Sequence, residues 1–305
     1  MVKELVVISG KGGTGKTSLM ASLATLAQNK VMCDADVDAA DLHLLMAPRI
    51  KETHDFQGGG IAMHHPDLCT SCGICRDVCK WDAIREDFSI DEIACEGCGV
   101  CHYLCPEKAI SFPPKICGQW FVSESNYGPM VHARLGVAEE NSGKLVTQVR
   151  KAAREVAEAK GLDLIITDGP PGVGCPVIAS ISGATSVLIV SEPSVSGLHD
   201  MERVLKLCEH FKIPRMVCIN KSDLNENLAS AIEAEAHRMN ARVVGKIPFD
   251  SAFTRAMVQG KSLFEYDETS DTAAVVRSLW KDVSQTIGEI KVDKNALSGG
   301  IINNQ

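Results

Sequence analysis

The sequence predicts an α/β fold: a doubly wound, mostly parallel sheet interrupted by a small, cysteine-rich α+β unit. Three observations carry this. Short apolar runs alternate with helical stretches along most of the 305 residues, the pattern of a parallel sheet covered on both faces. The first apolar run leads straight into a glycine-rich loop and then a helix. Eight of the 13 cysteines crowd into residues 65–113.

The predicted strands are Glu4–Ser9, Lys30–Cys33, Leu162–Thr167, Ser186–Val190, Arg215–Ile219 and Arg242–Ile247. The predicted helices are Lys16–Gln28, Gly143–Lys160, Gly197–His210, Asn225–Asn240 and Thr272–Lys291. Composition agrees with a globular chain: 45% hydrophobic and 23% charged residues support a sizeable core. No run of 18 apolar residues predicts a spanning helix, and the N-terminal apolar run is too short for a signal peptide. A cytoplasmic protein is expected, where structural disulfides are rare. Its cysteines then point to metal. The net charge of −8 argues against nucleic-acid binding as the main role.

Residues 65–113 hold four Lys/Arg against nine Asp/Glu, which marks a separate acidic unit. Its cysteines form two sets, Cys69, Cys72, Cys75, Cys79 and Cys95, Cys98, Cys101, Cys105, related by an offset of 26 residues. The same offset maps Gly73 onto Gly99, Ala83 onto Ala109 and Ile84 onto Ile110. Each copy reads C-x2-C-x2-C-x3-C. Three close thiolates wrap a four-iron core and the fourth faces the neighbouring one. One [4Fe–4S] cluster is therefore expected on Cys69, Cys72, Cys75 and Cys105, and a second on Cys79, Cys95, Cys98 and Cys101. A pair of zinc sites is the alternative, since C-x2-C pairs also suit tetrahedral zinc. The segment resembles a bacterial two-cluster ferredoxin, although Lys80 stands where the first copy would carry proline.

The glycine loop reads Gly10-Lys11-Gly12-Gly13-Thr14-Gly15-Lys16-Thr17-Ser18. Its backbone N–H groups suit phosphate oxygens, Lys16 the β- and γ-phosphates, and Thr17 a Mg2+ ion. With Lys11 added, the loop is a deviant Walker A motif, and the chain resembles the MinD/ParA class of P-loop ATPases. That resemblance covers about residues 3–290 and includes Asp34-Ala-Asp36, Asp168-Gly-Pro-Pro-Gly172 and Asn220-Lys221-Ser-Asp223.

The resemblance implies that Lys11 reaches the phosphates of a partner subunit in a nucleotide-sandwich dimer, either a homodimer or a heterodimer with a similar chain. It implies that Asp36 positions the attacking water and serves Mg2+ with Thr17 and Asp168, while Asp34 and Asp41 stand nearby. Asp38 is expected to cap a helix. Gly172 would sense the γ-phosphate. Asn220, Lys221, Asp223 and Pro248 would flank the base, with ATP favoured over GTP. Cys33, Cys208 and Cys218 are expected as buried apolar residues. Cys117 and Cys175 are candidates for a metal shared across a dimer, by analogy with the nitrogenase iron protein. His132 and Arg134 are candidates for contact with a ligand or partner.

The expected organisation is a discontinuous ATPase domain, residues 1–64 and 114–292, an inserted ferredoxin domain, 65–113, and a flexible tail, 293–305. The expected function is a dimeric ATP-hydrolysing switch. It would couple nucleotide state to electron transfer or to iron–sulfur or metal-cofactor assembly, acting with a redox or cofactor-binding protein. The alternative is a spatial-positioning ATPase of the MinD/ParA kind. The tail lacks an apolar stripe, so no membrane role is expected.

Overall fold

The computed structural model describes residues 2–136 and 142–290; the expected tail lies outside them. In chain order, β1 (Lys3–Ser9) feeds α1 (Lys16–Leu26), then β2 (Lys30–Asp34), a short α2 (Leu42–Met46) and a long β3 (Arg49–Gly60). The cysteine-rich stretch contributes β4 (Met63–His64), α3 (Ile74–Asp77), α4 (Val100–Leu104) and β5 (Ile110–Ser111). The chain continues through β6 (Pro114–Ser125), β7 (Gly128–Leu135), α5 (Ser142–Ala159), β8 (Leu164–Pro171) and α6 (Cys175–Ile181). It closes with β9 (Ser186–Ser191), α7 (Val195–His210), β10 (Arg215–Asn220), α8 (Glu226–Arg238), β11 (Arg242–Ile247), α9 (Ser251–Val258), α10 (Leu263–Asp267) and α11 (Asp271–Glu289).

Nine strands form one sheet in the order β11-β10-β9-β1-β8-β2-β7-β6-β3. All six pairings from β11 to β7 are parallel. The alternation along β1 explains the double winding. Leu5 and Val7 join one core with α1 and α11, while Val6 and Ile8 join the opposite core with α6, α7 and α8. A strand buried on both faces needs a continuous apolar run, which is why the inner strands were readable.

Three strands escaped that reading. β3 is largely exposed and charged, with Phe56 its one fully apolar buried side chain. β6 buries alternate residues, among them Cys117, Phe121 and Ser123, but this set mixes apolar and polar types. β7 buries Met130, Val131, His132 and Ala133 in succession. β6 and β7 are neighbours joined by Asn126 and Tyr127 alone, so they form an antiparallel hairpin. The sheet is therefore mixed at this end. Strand β8 also runs further than expected, through Asp168 to Pro171, because β1 and β2 flank it on both sides.

The described residues divide into two compact units: 2–53, 121–133 and 142–290 form one, and 54–120 with 134–136 the other. The second extends beyond 65–113 because the long strands β3 and β6 carry into it. Inside it the 26-residue repeat is visible in the backbone. β4 pairs with β5 through His64↔Ile110, and Ile84 bridges Ile90 in the same antiparallel sense. The offset exchanges these pairs. α3 and α4 also start at equivalent places, after Gly73 and Gly99 in the left-handed region.

Candidate functional site

Strand β1 ends at Ser9 and the chain must turn before α1 can begin. Gly15 adopts φ +86°, and a Cβ there would lie 2.4 Å from Asn220 Nδ2. At Gly10 a Cβ would lie 2.3 Å from Asp200 Cβ. Gly10 is required by its packing against Asp200, and Gly15 by the left-handed backbone of the turn. Two residues from the end of β10 steady the loop: Asn220 Nδ2 donates to Thr14 O at 2.7 Å and Lys221 Nζ to Gly13 O at 2.8 Å. The start of α1 then offers its positive dipole end and its free N–H groups to an anion.

The C-terminal ends of β2 and β8 bring acids to the same place. Asp34 pairs in register with Asp168, and Ala35 N–H donates to Asp168 O at 2.8 Å. Lys16 Nζ lies 2.5 Å from Asp168 Oδ1 and 3.5 Å from Asp36 Oδ2. Thr17 Oγ1 lies 3.4 Å from Asp168 Oδ2. Burial works to lower the Lys16 pKa, but Asp168 and Asp36 outweigh it and the net shift is upward. Burial pushes Asp34 well above the ordinary carboxylate range, with the Asp168 charge adding to it. Asp36 rises to about 6, again through burial. Three acids around one lysine leave excess negative charge, and the oxygens of Thr17, Asp36 and Asp168 are hard donors of the kind that Mg2+ takes. Asp34 Oδ2 and Thr14 Oγ1 are buried with no hydrogen-bond partner among the described residues.

A cavity of about 550 Å³ opens over this group. It is lined by the glycine loop with Asp36 and Asp41, by Asn220 and Lys221 beside that loop, and by Pro248, Phe249, Phe253 and Met257. A lining that combines lysines and loop N–H groups with aromatic side chains suits a nucleoside polyphosphate.

Comparison with known proteins agrees with this geometry. Residues 5–264 match the model of the CobQ/CobB/MinD/ParA nucleotide binding domain. The chain belongs to that nucleotide-binding family. An uncharacterized protein of Methanocaldococcus jannaschii is 31% identical, over 94% of this chain and 98% of its own length. The septum site-determining protein MinD of Escherichia coli is 22% identical over 86% of this chain and 83% of its own. Among solved structures, MinD of Pyrococcus horikoshii complexed with Mg-ADP shares the fold. Its TM-score is 0.59 at 16% identity, covering 96% of this chain and all of that one.

Lys11 follows Gly10 in the glycine loop. Its Nζ lies 2.6 Å from Glu192 Oε1 and donates to Ser194 Oγ and Ser196 Oγ at 3.1 and 3.0 Å. Glu192, missed by sequence reasoning, follows β9 in Ser191-Glu192-Pro193, and its end-of-strand position was the available signal. Burial opposes ionisation of Glu192, but the bonds from Lys11 and Lys221 prevail and its pKa falls. Gly172 adopts φ +94° and donates its N–H to Ser9 O at 2.9 Å.

Other expectations are displaced. Asp38 is exposed in a turn and caps no helix. The N-cap position of α2 is Asp41, whose side chain makes no capping bond. Asp223 lies outside the cavity lining and accepts the Phe249 N–H at 2.6 Å, pinning the β11–α9 loop. His132 is a structural residue: its Nε2 lies 3.0 Å from Ser123 Oγ and its ring stacks on Phe121. Burial lowers its pKa to about 4. Arg134 is exposed.

Cys33, Cys208 and Cys218 are fully buried, and burial pushes the last two thiols to about 12. Cys117 is buried, with Sγ 3.5 Å from Lys115 O, whereas Cys175 is exposed at the first residue of α6. The eight repeat cysteines line two separate cavities. Cys69, Cys72, Cys75 and Cys105 face one. Cys79, Cys95, Cys98 and Cys101 face the other. Each quartet takes three cysteines from one copy and the last from the other. Among the described residues no three His, Cys, Asp or Glu side chains converge tightly enough for a single metal ion. Four soft thiols spread around a mostly apolar pocket fit a larger thiolate-bound core.

Proposed function

We propose that this protein is a MinD/ParA-type ATPase, working as a nucleotide-dependent dimeric switch, whose second unit holds two [4Fe–4S] clusters. The observation that carries the cluster part is the segregation of eight cysteines into two four-cysteine cavities in the crossed sets that the spacing requires. The switch part rests on family membership and on the meeting of Lys16, Thr17, Asp36 and Asp168 at one cavity.

In this reading the glycine loop and Lys16 hold the β- and γ-phosphates. Thr17 and Asp168 hold Mg2+, which when bound supplies countercharge for the triphosphate. Asp36, with a pKa near 6, orients the attacking water and accepts its proton. Lys11 leaves Glu192 and adds its charge to the phosphates of the partner subunit. Gly172 exchanges its Ser9 acceptor for the γ-phosphate and so links nucleotide state to the segment after β8. Engagement of Asp223 by Phe249 supports ATP rather than GTP, since guanine recognition needs that carboxylate free for two donors. The clusters, when bound, supply one-electron storage, and residues 65–113 surround them with acidic side chains that suit a basic redox partner.

A second reading, a spatial-positioning ATPase, is favoured by the relatives that carry the name septum site-determining protein MinD. No helix among the described residues is long and apolar enough to cross a membrane, but surface binding needs no such helix. Two measurements separate the readings. Iron and sulfide analysis after anaerobic reconstitution should give about eight of each per chain, and ATP hydrolysis should differ between reduced and oxidised protein. Co-sedimentation with anionic liposomes or DNA should be independent of ATP. Clear ATP-dependent sedimentation with no bound iron would establish the positioning role instead.

A further inference from the structure

The two cysteine cavities are related by the 26-residue repeat almost residue for residue. His64 lines the first cavity, and its repeat counterpart Ile90 lines the second. Their backbones are equivalent too, since His64 pairs with Ile110 and Ile90 with Ile84. His64 Nε2 is buried and has no hydrogen-bond partner among the described residues. Its ring lies 6.1 Å from Phe88, another cavity residue. A buried ring nitrogen without an acceptor is costly unless something in the cavity accepts from it. Each cavity also carries one carboxylate that the other lacks, Glu107 in the first opposite Trp81 and Glu96 in the second opposite Thr70, so the histidine is the difference that is not offset.

Resting on the cluster reading above, we propose that His64 donates its Nε2–H to a sulfur of the first cluster, so that the two clusters have unequal potentials and the first is the stronger electron acceptor. Reduction adds negative charge to the core. A hydrogen-bond donor at its sulfur stabilises the reduced form and raises the potential. The second cavity offers Ile90 in that place, which has no proton to donate, while Glu107 and Glu96 put one carboxylate at each cavity. An electron entering at either end therefore rests at the cluster held by Cys69, Cys72, Cys75 and Cys105. Duplication built two equivalent sites, and one substitution of isoleucine type for histidine type gives the pair a direction.

The test is an electrochemical titration of full-length reconstituted protein, read by electron paramagnetic resonance, with dithionite as reductant. Wild type should show two separated midpoints. His64→Ile should lower the higher midpoint, changing the reduced-to-oxidised ratio at fixed potential about tenfold, which is about 59 mV for a one-electron couple. His64→Gln, which keeps an N–H donor, should retain most of the separation. Ile90→His should raise the lower midpoint, which also serves if His64→Ile fails to load its cluster. The proposal is overturned if His64→Ile keeps its full iron content and leaves the higher midpoint in place, or moves the lower one instead. Wild-type protein that assembles no four-iron cluster would remove the cluster reading itself, and this inference with it. Unmoved midpoints in fully loaded variants would remove this inference alone.

Discussion

Lys11 and Lys221 share one carboxylate: Glu192 takes Lys11 Nζ at 2.6 Å on Oε1 and Lys221 Nζ at 3.0 Å on Oε2. The same Lys221 holds Gly13 O, so Glu192 links the mouth of the glycine loop to the ends of β9 and β10. For Lys11 to act on a partner subunit, it must leave this pair. Lys11→Ala should then lower the ATP turnover rate about 10³-fold, in the range of an arginine finger supplied in trans, while nucleotide affinity changes only a few-fold. Glu192→Gln should free Lys11 and shift ATP-dependent dimerisation to lower protein concentration, measured by analytical ultracentrifugation. Unchanged dimerisation would show that the contact restrains nothing.

Behind the site, a buried pair fixes β1 to α5 and α6. Arg150 donates through Nε and Nη2 to the two Glu4 oxygens at 2.8 Å each, and through Nη1 to Ala179 O and Ser182 O at the end of α6. Thr167, beside Asp168, donates to Glu4 Oε1. Arg150→Met leaves Glu4 with only the longer contact to Arg154 at 3.3 Å and the Thr167 hydroxyl, and should cost about 3 kcal/mol in urea unfolding. Adding Glu4→Gln should recover part of that loss. A double variant as unstable as the sum of the single ones would deny the coupling.

Two buried titrating groups pull stability in opposite directions. The Asp36 pKa is raised to about 6, so its contribution is complete below the unfolded value and is lost as pH rises through 6. The His132 pKa is lowered to about 4, so its contribution is complete above the unfolded value and is lost as pH falls toward 4. Each shift corresponds to on the order of 2–3 kcal/mol. Between roughly pH 4 and 6 they oppose each other. Asp36→Asn should therefore shift the pH dependence of stability of nucleotide-free protein upward with rising pH relative to wild type in this window, and His132→Gln downward. Parallel pH profiles for both variants and wild type would contradict these assignments.

The crossed cysteine sets predict a specific non-additivity. Cys105→Ser and Cys72→Ser should each reduce bound iron from about eight to about four per chain, and so should the two together. Cys105→Ser with Cys98→Ser should remove nearly all of it. If Cys105 instead behaves as a partner of Cys98, the quartets are not crossed.

The inner parallel strands, the glycine loop and the cysteine repeat were legible because each leaves a local signature. A strand buried on both faces must be continuously apolar, a phosphate loop needs glycines at set intervals, and a duplicated ligand loop repeats its spacing. The primary structure thus determined the fold class, the nucleotide loop and the grouping of eight cysteines. Strands β3, β6 and β7 were not legible, because their faces mix charged, glycine and aromatic residues and their pairing is supplied by distant neighbours. Glu192 and Glu4 acquire meaning only when β9 and α5 bring them opposite lysine and arginine. Asp223 was assigned by a motif to base recognition, and only the fold shows that its Oδ1 accepts the Phe249 N–H. His64 is unremarkable in the sequence, and only the folded repeat sets it opposite Ile90 in matching cavities. Local pattern reports what a residue's own segment requires. Which partner a charged or polar side chain meets depends on burial and on contacts far along the chain, and that was decided by the tertiary structure.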